Sequence, residues 1–126
     1  MIDHVSVAVR DLQAAARFYE AVLATLGFAK LEDRPATVGF GKQYPEFWIN
    51  RRADMALLPT NSGAHVCFRA RTTEVVDAFH QAALAAGGTD DGAPGLRPQH
   101  GVGYYAAFVR DLDGNRIEAV TFVKTE

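Results

Sequence analysis

The sequence holds a single cysteine, Cys67, in 126 residues. One thiol excludes an internal disulfide and suits a reducing compartment. Nor is there a strong excess of charge, because the formal net charge is −2. That balance lacks the electrostatic footprint that holds nucleic acid or an anionic membrane. No apolar run approaches the roughly 20 residues that span a bilayer, and the opening Met1-Ile2-Asp3-His4 does not read as a signal peptide. The expectation is a cytoplasmic protein with no nucleic-acid and no membrane partner. What is present is ordinary for a soluble chain: 48% hydrophobic and 22% charged residues. A chain of this length fits one domain over residues 1–126 and buries roughly two-thirds of its surface on folding.

Periodicity sketches the elements. From Ile2 to Val9, Val5, Val7 and Val9 alternate with His4, Ser6 and Ala8, the pattern of a half-buried strand. Asp11 is a good helix N-cap, and Leu12, Ala15, Tyr19, Val22 and Leu26 mark the core stripe of the helix that follows, which Gly27 ends. Phe28 to Arg34 and Ala36 to Gly41 read as short strands around Pro35, and Glu46 to Asn50 as another. Arg51 to Gly63 reads as a linker with a possible short strand at Met55 to Leu58. Thr89 to Gly103, rich in Gly and Pro, reads as a long loop around one short strand, a common form of lid. Tyr104 to Arg110 is a strand, Asp113-Gly114-Asn115 a tight turn, and Lys124 to Glu126 a tail.

The chain repeats itself. Adding 61 to each number from His4 onward gives a gapless register with eight identities in the 24 positions from His4 to Gly27. His4 meets His65, Val5 meets Val66, Arg10 meets Arg71 and Phe18 meets Phe79. Thr72 or Thr73 then caps a second helix carrying Val76, Phe79, Ala83 and Ala86. Two copies of strand-helix-strand-strand-strand are the simplest reading.

The repeat places candidate ligands. The valine side of each first strand packs under its helix, so His4 and His65 point to the helix-free face at matching positions. The strand after the Asp113 turn carries Glu118 among Ile117, Ala119 and Val120. Strands select against Glu, and a buried carboxylate needs a partner. A divalent metal shared by His4, His65 and Glu118 supplies one: two imidazoles and a carboxylate make a facial triad with open positions.

These residues resemble a family. The His-Val-Ser-Val strand, the Phe18-Tyr19 helix, the His65-Val66 restart and the Asp-Leu-Asp-Gly-Asn-Arg-Ile-Glu ending are similar to the vicinal oxygen chelate superfamily of glyoxalase I, bleomycin-resistance proteins and extradiol dioxygenases. The resemblance implies an α+β fold. Two βαβββ modules, about 1–58 and about 64–123, would form a curved mixed eight-stranded sheet around a central cleft, with helices on the outer face. It implies a divalent metal (Fe, Mn, Zn or Ni) on His4, His65 and Glu118, and a homodimer whose sites draw on both subunits in some members. Aligning Phe47-Trp48-Ile49 with Ile117-Glu118-Ala119 puts Trp48 where glyoxalase I has a carboxylate, and the plain 61 offset puts Leu57 there. Neither side chain ligates a metal, so the pattern departs from true glyoxalase I.

The expected activity is a metal-dependent reaction of the lyase, dioxygenase or glutathione-transferase type on a small oxygen-bearing substrate. Ser6, Glu46, Trp48, Asn50, Cys67, Tyr104 and Phe108 are the expected substrate-facing residues. Arg97 and Arg116 are candidates for a substrate carboxylate. With no fourth carboxylate, a base would come from the substrate, from metal-bound hydroxide, or from a residue such as Glu46 or Tyr104, with no choice among them. The alternative is a bleomycin-resistance type protein that sequesters a small molecule without chemistry.

Overall fold

A computed structural model describes residues 1–124. Residues 125 and 126 of the expected tail lie outside the described residues. The first half of the chain runs β1 (Val5–Val9), α1 (Leu12–Ala24), β2 (Ala29–Asp33), β3 (Thr37–Gly41) and β4 (Pro45–Arg51). The second runs β5 (His65–Arg69), α2 (Thr73–Ala85), β6 (Thr89–Leu96), β7 (Tyr104–Arg110) and β8 (Arg116–Phe122), with a short 3₁₀ turn at Pro98–His100. The α+β architecture of two βαβββ modules is therefore present. The eight strands divide into sheets of four, ordered β1-β4-β3-β2 and β5-β8-β7-β6. In each sheet the first and last strands pair in parallel and the remaining pairs are antiparallel.

Both helices begin where capping residues allow. The Asp11 carboxylate accepts from the Ala14 N–H at 3.0 Å, and the Thr72 hydroxyl accepts from the Val75 N–H at 3.2 Å. Each bond satisfies one of the donors left free in a first helical turn. The stretch from Thr89 departs from the expected loop, because β6 is an eight-residue strand. Its register breaks between Asp90 and Gly92 and again between Gly92 and Gly95. Bulges at glycines are why period-two alternation is invisible there. The possible strand at Met55 to Leu58 does not form. Leu58 instead gives its N–H to Asp113 O at 3.1 Å.

One core serves both modules. Each helix covers one face of its own sheet, α1 touches α2, and the two helix-bearing faces meet. Phe68 of β5 is the bridge. Its ring lies 5.3 Å from Phe47 of β4, 6.1 Å from Phe28 and 6.4 Å from Phe79 of α2. The uncovered faces of the two sheets consequently turn away from this core.

The β7–β8 turn adds a polar clamp between the modules. Buried Asp111 accepts from the N–H groups of Asp113 and Asn115, from the Asn115 amide and from Tyr19 Oη at 2.5 Å. Arg10 donates its backbone N–H and its Nε to Asp113 Oδ1 at 3.0 and 2.8 Å, and Asn115 Nδ2 donates to Ala8 O at 2.9 Å. Burial first, then the Asp111 charge, pushes the Tyr19 phenol far above its ordinary value, so it stays a donor. What reads in sequence as a turn is thus also the tie that fixes the second module on α1 and β1.

Candidate functional site

Parallel pairing of β5 with β8 sets Cys67 opposite Glu118, and antiparallel pairing of β7 with β8 sets Phe108 opposite Glu118. All three side chains fall on the uncovered face of the second sheet, together with His65 and Tyr104. Glu118 is nonetheless only 2% exposed. Its oxygens are divided between two partners. His65 Nε2 lies 3.1 Å from Oε1, and the Tyr104 hydroxyl donates to Oε2. The Tyr104 ring is packed by His100 at 5.3 Å and edge-on by Phe122 at 5.5 Å.

The first sheet presents the other set. Register pairs Ser6 with Trp48, the counterpart of Cys67 with Glu118. Trp48 therefore occupies the position that Glu118 holds in the second module, while Leu57 lies outside β4 and is 60% exposed. Glu46, Trp48 and Asn50 alternate with Phe47 and Ile49, which are buried in the core. The indole lies across Gly39, where a Cβ would meet Cε3 and Cζ3 at 2.9 Å, and the Arg34 guanidinium caps it at 5.1 Å. Thr37 Oγ1 donates to Asn50 Oδ1 at 2.6 Å, which fixes that amide. His4 precedes β1, with Nδ1 2.7 Å from the Asp3 carboxylate. A carboxylate on one ring nitrogen sets the tautomer and frees Nε2, the usual support for an imidazole ligand.

A single copy brings His65, Glu118, Tyr104 and Cys67 together, and leaves His4, Ser6, Glu46, Trp48 and Asn50 on the other sheet. Among the described residues no three His, Cys, Asp or Glu side chains gather as a metal site. A groove of about 990 Å³ lies between α1 and the β2–β3 edge and is lined by none of the expected site residues. Asp3 and Arg34 were not anticipated as contributors. The adjacency of Asp3 to His4 was the available signal for the first, and nothing in the sequence marked the second.

The titration of two groups limits their chemistry. Crowding of the Cys67 thiol by surrounding protein, and then the Glu118 charge, push it up to about 12, although the residue as a whole is exposed. It remains a thiol at neutral pH and is no nucleophile. Desolvation, followed by the hydrogen bond to Glu118, pushes the Tyr104 phenol well up as well. Tyr104 is held as a proton donor and cannot serve as a base near pH 7.

The donor set suits a borderline divalent ion, since His65 Nε2 and Glu118 Oε1 converge as one nitrogen and one oxygen ligand. Two protein ligands fall short of the three or four that such ions take.

The family model for the Glyoxalase/Bleomycin resistance protein/Dioxygenase superfamily matches residues 1–119. Among solved structures, a glyoxalase/bleomycin resistance protein from Albidiferax ferrireducens T118 is 34% identical over 94% of this chain and 95% of its own, with a TM-score of 0.81. A glyoxalase/bleomycin resistance protein/dioxygenase family enzyme from Burkholderia phytofirmans PsJN is 23% identical over 97% and 98%, at a TM-score of 0.74. The fosfomycin resistance protein FosX of Listeria monocytogenes is 16% identical over 98% and 93%, at 0.72. At these last two identities the likeness is one of fold. No curated protein matches the chain significantly.

Proposed function

The chain belongs to the Glyoxalase/Bleomycin resistance protein/Dioxygenase superfamily, and on that premise we propose that it is a divalent-metal-dependent enzyme acting on a small oxygen-bearing substrate. The ligands are His65 and Glu118 of one copy and His4 of a second copy in a homodimer, with Fe, Mn, Zn or Ni as the ion. The observation that carries this reading is the buried Glu118 carboxylate beside His65 Nε2 at 3.1 Å on an uncovered sheet face. Burying a carboxylate on that face is costly unless a cation or donors compensate it. His4 supports the reading from the other sheet, because Asp3 already holds its Nδ1.

Edge strands favour the dimer. β1 and β5 are the outer strands of their sheets and each is headed by one of the two histidines. An unpaired edge invites a neighbour, and a two-fold axis brings β1 of one copy beside β5 of the other. That pairing joins the two uncovered faces into one cleft. When bound, the ion supplies Lewis acidity toward substrate oxygens. The chain's own residues do the rest. Glu118 and His65 hold one side, Tyr104 keeps Glu118 in place, and Trp48 with Phe108 exclude water from apolar parts of the substrate. Glu46, on the same sheet as His4, supplies a carboxylate for proton transfer.

The test is complementation. His4→Ala and His65→Ala homodimers should each lose bound metal. Mixed after unfolding and refolding together, they should regain about a quarter of wild-type metal, because half the dimers are mixed and each restores one of two sites. Unchanged metal in either variant, or no recovery on mixing, rejects the shared site. The second reading is sequestration without chemistry, favoured by the half-buried Trp48 indole with the Arg34 guanidinium on it, an aromatic–cation arrangement that needs no ion. It predicts negligible metal in wild type and ligand binding that is indifferent to His65→Ala.

A further inference from the structure

We infer that the substrate carries an anionic group, a carboxylate or phosphonate, beside its metal-binding oxygens, and that Arg97 is the residue that reads it. The inference rests on the metal reading above and goes beyond it by naming the substrate class.

Arg97 follows β6 and folds back over the second sheet. Its guanidinium carbon stands 5.6 Å from the centre of the Phe108 ring. Phe108 is the residue directly opposite Glu118 across β7 and β8. The charge is therefore held one strand away from the candidate ligands, on the same uncovered face. Three features keep it there. Nη2 donates to Ala93 O at 2.6 Å. The other two are the absent side chains of β6. A Cβ on Gly95 would meet Nη1 at 3.2 Å, and one on Gly92 would meet Nη2 at 3.3 Å and Phe108 Cδ1 at 3.0 Å. Those glycines, which break the strand register, clear the space that the guanidinium fills.

Among the described residues the remaining guanidinium N–H groups have no hydrogen-bond partner. Arg97 is half-buried, yet among the described residues no carboxylate lies within ion-pair distance of it. Its neighbours on this face are committed. Arg110 and Arg116 share Asp91, with contacts of 3.3 and 3.5 Å. Arg69 stacks on Phe122 at 4.7 Å. A guanidinium presents its donors in a fork that matches a carboxylate or phosphonate, and stacking on an aromatic face fixes the plane of that fork. An arginine placed only for solubility has no need of two glycines, an aromatic base and a carbonyl tether.

The test compares two probes that differ only in the anion: catechol and 3,4-dihydroxybenzoate, titrated into the full-length protein loaded with Mn(II), with metal stoichiometry measured on the same samples. Arg97→Gln should lower the preference for the acid over catechol about tenfold, leaving catechol affinity and metal stoichiometry unchanged. Arg97→Lys should fall between, because it keeps the charge and loses the fork. An acid-to-catechol ratio that is the same in wild type and Arg97→Gln overturns the proposal, as does failure of both probes to bind protein that holds Mn(II). Protein that takes up no Mn(II) removes the metal reading itself, and that outcome is read from the stoichiometry before any probe is added.

Discussion

Phe68→Ala tests whether the two modules share one core. The ring is 8% exposed and touches aromatic side chains from both halves of the chain: Phe28 and Phe47 of the first, Phe79 of the second. Truncating a buried Phe costs about 3–5 kcal/mol, from lost transfer energy and the cavity left behind. The three ring contacts argue for the upper half of that range, since well-placed aromatic pairs add about 0.5–1.5 kcal/mol beyond area burial. Against a total stability of about 5–15 kcal/mol the loss is large. With a urea dependence of about 2 kcal/mol/M, the unfolding midpoint should fall by about 2 M. The assay uses two signals in one titration. Trp48 is the only tryptophan and reports the first module, while far-UV ellipticity reports both helices. A shared core requires both transitions to move together and to remain superimposable. If the Trp48 transition stays at the wild-type midpoint while ellipticity shifts, each module has its own core. The outward direction of the two sheet faces, and with it the need for a second copy, would then lose its basis.

Two smaller perturbations follow. Gly39→Ala inserts a methyl 2.9 Å from Trp48 Cε3 and Cζ3 and from Pro45 Cβ. It should cost about 1–3 kcal/mol and shift Trp48 emission to the red as the ring is lifted; unaltered emission and stability would show that the indole does not lie on Gly39. Asp90 is held below the usual carboxylate range by the His80 hydrogen bond at 2.9 Å and then by the Gly92 N–H at 3.0 Å. A depressed folded value means the unfolded chain binds the proton more tightly. The contribution is therefore present above the ordinary carboxylate value and disappears as pH falls through the folded one. Asp90→Asn should lower the thermal midpoint at pH 7 and flatten its decline between about pH 5 and 3; parallel curves for the two proteins would refute it.

Legibility in the sequence followed how local the determining physics was. The repeat from His4 to Gly27, the caps Asp11 and Thr72, and the alternating strand around Trp48 are settled by neighbours in the chain, and all are found in the structure. The alignment of Trp48 with Glu118 needed the strand at Glu46 to Asn50 as well as the repeat, whose plain offset gives Leu57, and the Ser6–Trp48 and Cys67–Glu118 pairs reproduce it. Strand β6 was hidden because its glycines make room for the Arg97 and Phe108 side chains rather than answering to strand propensity. The clamp on Asp111 was hidden for a related reason. A turn that must also satisfy Tyr19, Arg10 and Ala8 has the same composition as one that satisfies nothing. The direction in which each sheet faces is a property of helix-on-helix packing between modules, and no pattern within either module encodes it.

The replacement of a second carboxylate by Trp48 has an electrostatic consequence that connects the two proposals. A divalent ion held by two neutral imidazoles and one carboxylate keeps a net single positive charge, whereas a second carboxylate at the Trp48 position would cancel it. Arg34 lies on the indole and pairs with Glu32 at 3.8 Å, so that shelf adds no net charge of its own. On the second sheet Arg97 adds a further positive charge one strand from Glu118. A carboxylate about 7 Å from a unit positive charge gains about 2 kcal/mol at an effective dielectric constant near 20. A neutral substrate gains nothing from that term. Trp48→Glu should therefore weaken binding of 3,4-dihydroxybenzoate to Mn(II)-loaded protein by more than it weakens binding of catechol, with a difference of about tenfold or more at low salt that shrinks as ionic strength rises. Equal weakening of both probes would mean that Trp48 matters through its shape alone, and that the charge of the site does not select the substrate.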